Sequence, residues 1–184
     1  MIFYSKEDNL DKDRAHALSW VVEDAVIDLI ACSNFYRECR RNGHDPFSNK
    51  YHLGLVRMCY TTAIVTLSKL DEAINGFGKE INQCPPEITQ KIRTVKQKIE
   101  SLGVYNLRSK YIAHVFDGKG KDKMPMDIFS AYEALTKSVG KDIEEISNFY
   151  EWLFASKKTD CDVVSVLTEL NEYLSTHVSR TTRY

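Results

Sequence analysis

LSWVVEDAVIDLI, residues 18–30, decides the fold class. Its apolar residues Leu18, Val21, Val22, Ala25, Val26, Leu29 and Ile30 recur at spacings of three and four, the period of one buried helix face. Glu23, Asp24 and Asp28 take positions left over on the other side. The pattern extends to a helix from near Asp11 to Asn42-Gly43, with Arg40 and Arg41 placed where the C-terminal dipole favours cations.

Outward from this stretch the period stays helical. A second helix is predicted from about Lys50 to Asn75. Its segment LVRMCYTTAIVTLSKL, residues 55–70, is apolar on most sides and is expected to be the central, most buried helix. After Pro85-Pro86, Ile88, Ile92, Val95 and Ile99 mark a third, highly charged helix. A shorter fourth is expected from Val104 to Phe116. Asp127 is placed to cap a fifth, with Ile128, Tyr132, Leu135, Ile143, Ile146, Phe149, Tyr150 and Leu153 on one apolar side. Asp160 or Asp162 opens a sixth, carrying Val163, Val166, Leu167, Leu170 and Leu174. Gly54 and Gly140 sit inside these periodic runs, each costing about 1 kcal/mol relative to alanine.

Composition agrees. Eight Gly and four Pro in 184 residues are about half the usual supply, so turns are few and elements long. A β-sandwich or barrel, which needs turn residues every 8–12 positions, is excluded on that ground. The expectation is an all-α bundle of five or six helices, a single domain over residues 1–176, with a loose tail over 177–184. Lys plus Arg is 25 and Asp plus Glu is 26, a net charge of −1. A nucleic-acid coat protein normally has a basic domain, so any such contact here must come from a local patch. Five scattered cysteines without a C-x-x-C pair read as reduced thiols, several of them small core residues. No run is long and apolar enough to span a bilayer, and MIFYSKEDN does not read as a signal peptide. The expected location is the cytoplasm, without membrane contact.

Dinucleotide, Walker-type and H-E-x-x-H motifs are absent, and no Cys/His spacing supports a zinc site. No metal or cofactor is therefore expected. One segment carries chemistry: NLRSKYIAHVFD, residues 106–117, with Arg108 and His114 separated by five residues. The bare spacing is expected about once by chance in a chain of this composition, and Arg37 with His44 also satisfies it. The surrounding residues are more specific.

LRSKYIAHVFD resembles the signature helix of the HEPN superfamily, small helical domains defined by an R-x(4–6)-H motif. The form LR-(polar)-K-x-x-AH-x-x-D is most similar to the abortive-infection U-type branch. TLSKLDEA, residues 66–73, resembles the end of that branch's preceding long helix. The resemblance implies a two-fold dimer whose composite cleft cleaves RNA without a metal, as a toxin or phage-defence effector. Arg108 and His114 would be catalytic, with Asp71, Ser109 and Asp117 supporting. Candidate partner proteins are an antitoxin or a nucleotidyltransferase. His titrates near neutral pH and suits proton transfer; Arg is permanently charged and suits the phosphorane. Positions six apart on an α-helix lie about 120° around and 9 Å along the axis, so a dimer is needed to close both motifs on one phosphate. Lys119, Lys121 and Lys123, on the DGKGKDK segment just beyond, and Lys110 within the motif, would collect RNA phosphates. The alternative is a non-catalytic module binding RNA, a nucleotide or a partner protein. Ser109, where active members commonly carry Asn, Asp or His, keeps that alternative in play.

Overall fold

The computed structural model describes residues 10–43, 49–112, 127–157 and 159–177. Among them there is no strand, and the chain is an all-α bundle. The helices are α1 (Lys12–Arg41), α2 (Lys50–Gly76), α3 (Gly78–Ile81), α4 (Pro86–Leu102), α5 (Val104–Leu107), α6 (Ile128–Val139), α7 (Ile143–Leu153) and α8 (Val163–Ser175). A π-helical turn, Arg108–Ile112, follows α5 directly.

Local chemistry starts these helices where expected. Asp11, Asn49, Asp127 and Asp162 each accept hydrogen bonds from backbone N–H groups in the first turns of α1, α2, α6 and α8. Pro86 opens α4 at a position where its missing N–H costs nothing. α1 packs along α2 and α8, while α4 bridges α2 and α8 and α7 covers the far end of α1. Thr66 donates to Asp28 at 3.0 Å and fixes the register of α1 against α2. The core is built from Leu18, Val22 and Leu29 of α1, Ile64, Leu67 and Leu70 of α2, Ile92 and Ile99 of α4, and Leu167, Leu170 and Leu174 of α8. Tyr36 stacks on the fully buried Tyr150 with ring centres 4.0 Å apart.

Cys32, Cys39, Cys59 and Cys84 are buried free thiols, and Cys161 is exposed. Burial pushes the Cys32 and Cys84 thiols up to about 11 and Cys59 to about 12, so these are core residues rather than nucleophiles.

Three expectations are corrected. The fifth helix is two helices: Gly140 adopts φ +123° and ends α6, and Asp142 caps α7 by accepting from the Glu145 N–H at 2.9 Å. A side chain at Gly140 would lie 2.7 Å from Glu145 Cβ, so this turn requires glycine. The single apolar side expected for this helix does not hold across the break: Tyr132 in α6 and Ile143 in α7 are exposed, while Phe149, Tyr150 and Leu153 are buried. Secondly, α2 is not buried throughout; its buried residues begin at Cys59. Tyr51, Leu53 and Met58 are each more than half exposed. Hydrophobicity around a helix states what must be covered, not whether this chain covers it. Lastly, α3 was not anticipated: four residues between Gly76 and Pro85 form one turn, held by Glu80.

Glu80 is almost fully buried and accepts from Arg14 Nε at 2.7 Å, while Arg14 Nη2 donates to the Gly76 carbonyl. The Arg14 guanidinium also lies 4.9 Å from the centre of the Phe77 ring. That hydrogen-bonded partner holds the Glu80 carboxyl below its ordinary value of 4.5. The pair ties the start of α1 to the end of α2, under an open cleft of about 650 Å³.

Candidate functional site

The segment bearing the Arg/His motif begins at Gly103. Its left-handed conformation (φ +67°) ends α4 and redirects the chain into the single turn of α5. Val104 and Leu107 are buried and fasten this turn onto α2. At Arg108 the helix widens into the π turn, a form that is rare and common at functional sites. The fourth helix is thus not the continuous α-helix expected from Val104 to Phe116: an α turn and a π turn occupy 104–112. The 120° and 9 Å spacing worked out for an α-helix does not carry over to this wider turn.

Leu107 faces the core, so Arg108 beside it projects along the surface of α2. Its side chain is 32% exposed, and Nη1 donates to Glu72 Oε1 at 3.0 Å. Asp71, expected among the supporting residues, is not the carboxylate that Arg108 meets; the neighbouring Glu72 is. Residues 71 and 72 point about 100° apart around α2, and only Glu72 turns toward the π segment. An ion pair this exposed is worth about 0–1 kcal/mol, so a phosphate oxygen can exchange with Glu72 at small cost.

Asp71 instead faces α4. Its Oδ1 lies 3.6 Å from Lys96 Nζ, and Lys96 also makes a short contact with Glu100 one turn along. The hydrogen bond that Lys96 donates to Glu100, with Asp71 nearby, raises the Lys96 ammonium above its ordinary value. Three carboxylates (Asp71, Glu72, Glu100) and two cations (Lys96, Arg108) thus share one end of α2. Beside them opens a cleft of about 180 Å³ lined by Asp71, Ile99, Glu100, Gly103, Val104, Tyr105 and Asn106.

Ser109 donates back to the Asn106 carbonyl at 3.4 Å, which places its hydroxyl within the helix surface. Asn106 lies inside α5, and Gly103 occupies the cap position. Lys110 lies in the π turn, and its side chain is outside the described residues. His114, Asp117, Lys119, Lys121 and Lys123 also lie outside the described residues. The other matched segment, TLSKLDEA, buries Thr66, Leu67, Ser68, Leu70 and Ala73 and leaves Lys69 and Glu72 exposed. Glu72, Lys96 and Tyr105 were missed by sequence reasoning. The Lys96–Glu100 pair has an i,i+4 signature, but nothing in the sequence brings Glu72 to Arg108 across 36 positions.

Among the described residues no three His, Cys, Asp or Glu side chains could hold a metal ion. None of the described helices is long and apolar enough to cross a membrane.

No protein-family model and no curated protein matches the chain. Among solved structures the chain is similar to the integron cassette protein Vpc_cass2 from the mobile metagenome of V. paracholerae, with a TM-score of 0.72 at 17% identity. The match covers 89% of this chain and 96% of that one. At this identity the likeness shows the helical fold alone.

Proposed function

We propose that the protein is a metal-independent endoribonuclease of HEPN type, a homodimer with Arg108 and His114 in a composite site. The observation that carries this reading is Arg108 itself. It is the first residue of a π turn, one-third exposed, and held by a surface carboxylate that substrate phosphate can replace. In the proposed reaction the ribose 2′-OH gives its proton to a base and attacks the adjacent phosphorus. The P–O5′ bond breaks, and the 5′ oxygen takes a proton as it leaves. His114 serves as acid or base, and Arg108 faces the charge that builds on the non-bridging oxygens. Lys110, Lys119, Lys121 and Lys123 supply phosphate contacts that the net charge of −1 does not. Asp117 and Ser109 support the motif, and an antitoxin or nucleotidyltransferase would be the controlling partner. The biological setting is the cytoplasm, in growth arrest or phage defence.

A second reading, a non-catalytic module binding RNA, nucleotide or protein, is favoured by one observation. Arg108 already has a carboxylate partner in Glu72. One experiment separates the two. Purified protein is incubated with single-stranded RNA in EDTA beside Arg108→Ala and His114→Ala. The nuclease cuts, and both variants lose at least about 100-fold, the low end of what a positioned acid–base or oxyanion group contributes. Equal cutting by the variants, or none by wild type, refutes it. Sizing at low concentration tests the dimer, which a 21.2 kDa species would exclude.

A further inference from the structure

Arg108 is not the only guanidinium fastened to the end of α2. Its Nη1 donates to Glu72, and Arg14, arriving from α1, donates through Nη2 to the Gly76 carbonyl at 2.7 Å. Glu72 and Gly76 are exposed residues one turn apart, about 6 Å along the helix axis and on the same face. Two arginines from different elements thus stand on successive turns of α2. The open cleft of about 650 Å³ lies at the second of them, lined by Asp11, Arg14, Gly76, Lys79, Glu80 and Asn82 among others.

The acceptors of this cleft are already engaged. Both Glu80 oxygens are taken, by Arg14 Nε at 2.7 Å and Nη2 at 3.2 Å. Asp11 caps α1, its Oδ1 accepting from the Asp13 and Arg14 N–H groups, where the positive end of the helix dipole offsets its charge. The groups left over are donors. Arg14 Nη1 makes no hydrogen bond among the described residues, although its guanidinium is held by Glu80 and Gly76 and seated 4.9 Å from the centre of the Phe77 ring. Lys79 is exposed and has no ion pair or hydrogen bond with the described residues. Asn82 has its carboxamide oxygen occupied by Arg93 Nη2 at 2.9 Å, which leaves its amide nitrogen to donate and brings a further cation to the cleft. Donors of this kind, two of them cationic, around a space of ligand size suit a phosphate and its sugar.

We propose that this cleft is a second phosphate subsite, which holds the RNA strand beside the phosphate at Arg108. The strand follows the exposed face of the last turns of α2. One phosphate replaces Glu72 at Arg108, and a neighbouring one is received by Arg14 Nη1, Lys79 and Asn82. Lys69, exposed one turn before Glu72, lies on the same path. A chain of net charge −1 needs such a local patch to hold RNA. The proposal rests on RNA as the ligand of Arg108, but not on its cleavage.

The test measures binding, so that it stands apart from cleavage. A single-stranded oligonucleotide of about eight nucleotides, 2′-O-methylated so that no 2′-OH can attack, is titrated into the whole chain at several salt concentrations. Lys79→Gln removes one phosphate contact: affinity is expected to fall by about 3-fold or more, and the slope of log K against log[salt] to shrink by about 0.7. Asn82→Asp puts a carboxylate in the cleft while giving Arg93 an ion-pair partner, so Tm holds and RNA affinity falls by about 3-fold or more. Lys157→Gln, a control beyond α7 at the far end of α1, keeps its affinity within about 2-fold of wild type. In isotope-labelled protein, the Gly76, Gly78 and Lys79 amides are expected to shift together with those of Arg108 and Ser109 as the oligonucleotide is added. Wild-type binding by Lys79→Gln and Asn82→Asp, an equal loss in Lys79→Gln and Lys157→Gln, or shifts confined to Arg108 and Ser109 would overturn the subsite even if unmodified RNA is cut. Lys79-dependent binding without cleavage of unmodified RNA upholds the subsite and refutes the nuclease.

Discussion

Replacing Gly140 and Gly54 by alanine sends stability in opposite directions, although both glycines lie within apolar-periodic sequence. At Gly140 the backbone has φ +123°, and an added Cβ meets Glu145 Cβ at 2.7 Å and the backbone atoms Glu145 C and Ile146 N at 2.8 Å. Those atoms belong to the first turn of α7 and cannot rotate away. The strained dihedral costs about 1–3 kcal/mol and the overlap about 1–3 more. Alanine's restriction of the unfolded chain returns about 0.4–1 kcal/mol. The net loss is about 3 kcal/mol, or about 6–12 °C in Tm for a chain of this length. At Gly54, inside α2, an added Cβ has nothing within 4 Å. Alanine there gains about 0.5–1 kcal/mol of helix stability and raises Tm by about 1–4 °C. Thermal melts followed by circular dichroism read both. A Gly140→Ala protein that melts at or above the wild-type temperature would show that α6 and α7 are one continuous helix, and the described turn would be wrong.

Glu72→Gln frees Arg108 from its ion pair: Tm should stay within about 4 °C of wild type, and RNA affinity should rise by up to about 5-fold. A fall in affinity would mean that Glu72 positions Arg108 rather than competing for it. Arg14→Met removes the partner that holds the Glu80 carboxyl below 4.5. A depressed carboxyl stabilises the fold above its unfolded pKa and loses that contribution as pH falls below it. Wild type should therefore lose more stability than Arg14→Met between pH about 5 and 3 in denaturant titrations. Parallel acid limbs would contradict the pairing. With an aromatic disulfide reagent at neutral pH, Cys161 should react in the native protein, slowed by its hydrogen bond to Asp160. The other four thiols should react only on unfolding, and more than one fast thiol would contradict their burial.

Much of the bundle was legible in one dimension because helix period and capping are local. Asp11, Asp127 and Asp162 cap where their side chains could be placed from sequence; the apolar positions singled out in α4 and α8 are buried, and in α1 so are Leu18, Val22, Ala25 and Leu29, with Val21, Val26 and Ile30 half-buried. Gly140 was misplaced because its need for glycine arises from contact with Glu145, which a periodicity count does not contain. The exposure of Tyr51, Leu53 and Met58 was hidden for a related reason, since burial depends on how far neighbouring helices reach. At the candidate site Arg108 was found from its motif, whereas its partner Glu72 and the Asp71–Lys96 pair were not. Those contacts join α2 to the π turn and to α4, separations that only the folded chain closes. Asp71 and Glu72, adjacent in sequence, meet Lys96 and Arg108 respectively because a helix turns about 100° per residue.

The central claim is tested most directly by the chemistry of the RNA ends left in EDTA. Attack by the 2′-OH predicts 2′,3′-cyclic phosphate and 5′-hydroxyl termini from wild type, and neither product from Arg108→Ala or His114→Ala at matched folding. Intact RNA with wild type, 5′-phosphate ends, or wild-type cleavage by either variant would contradict it.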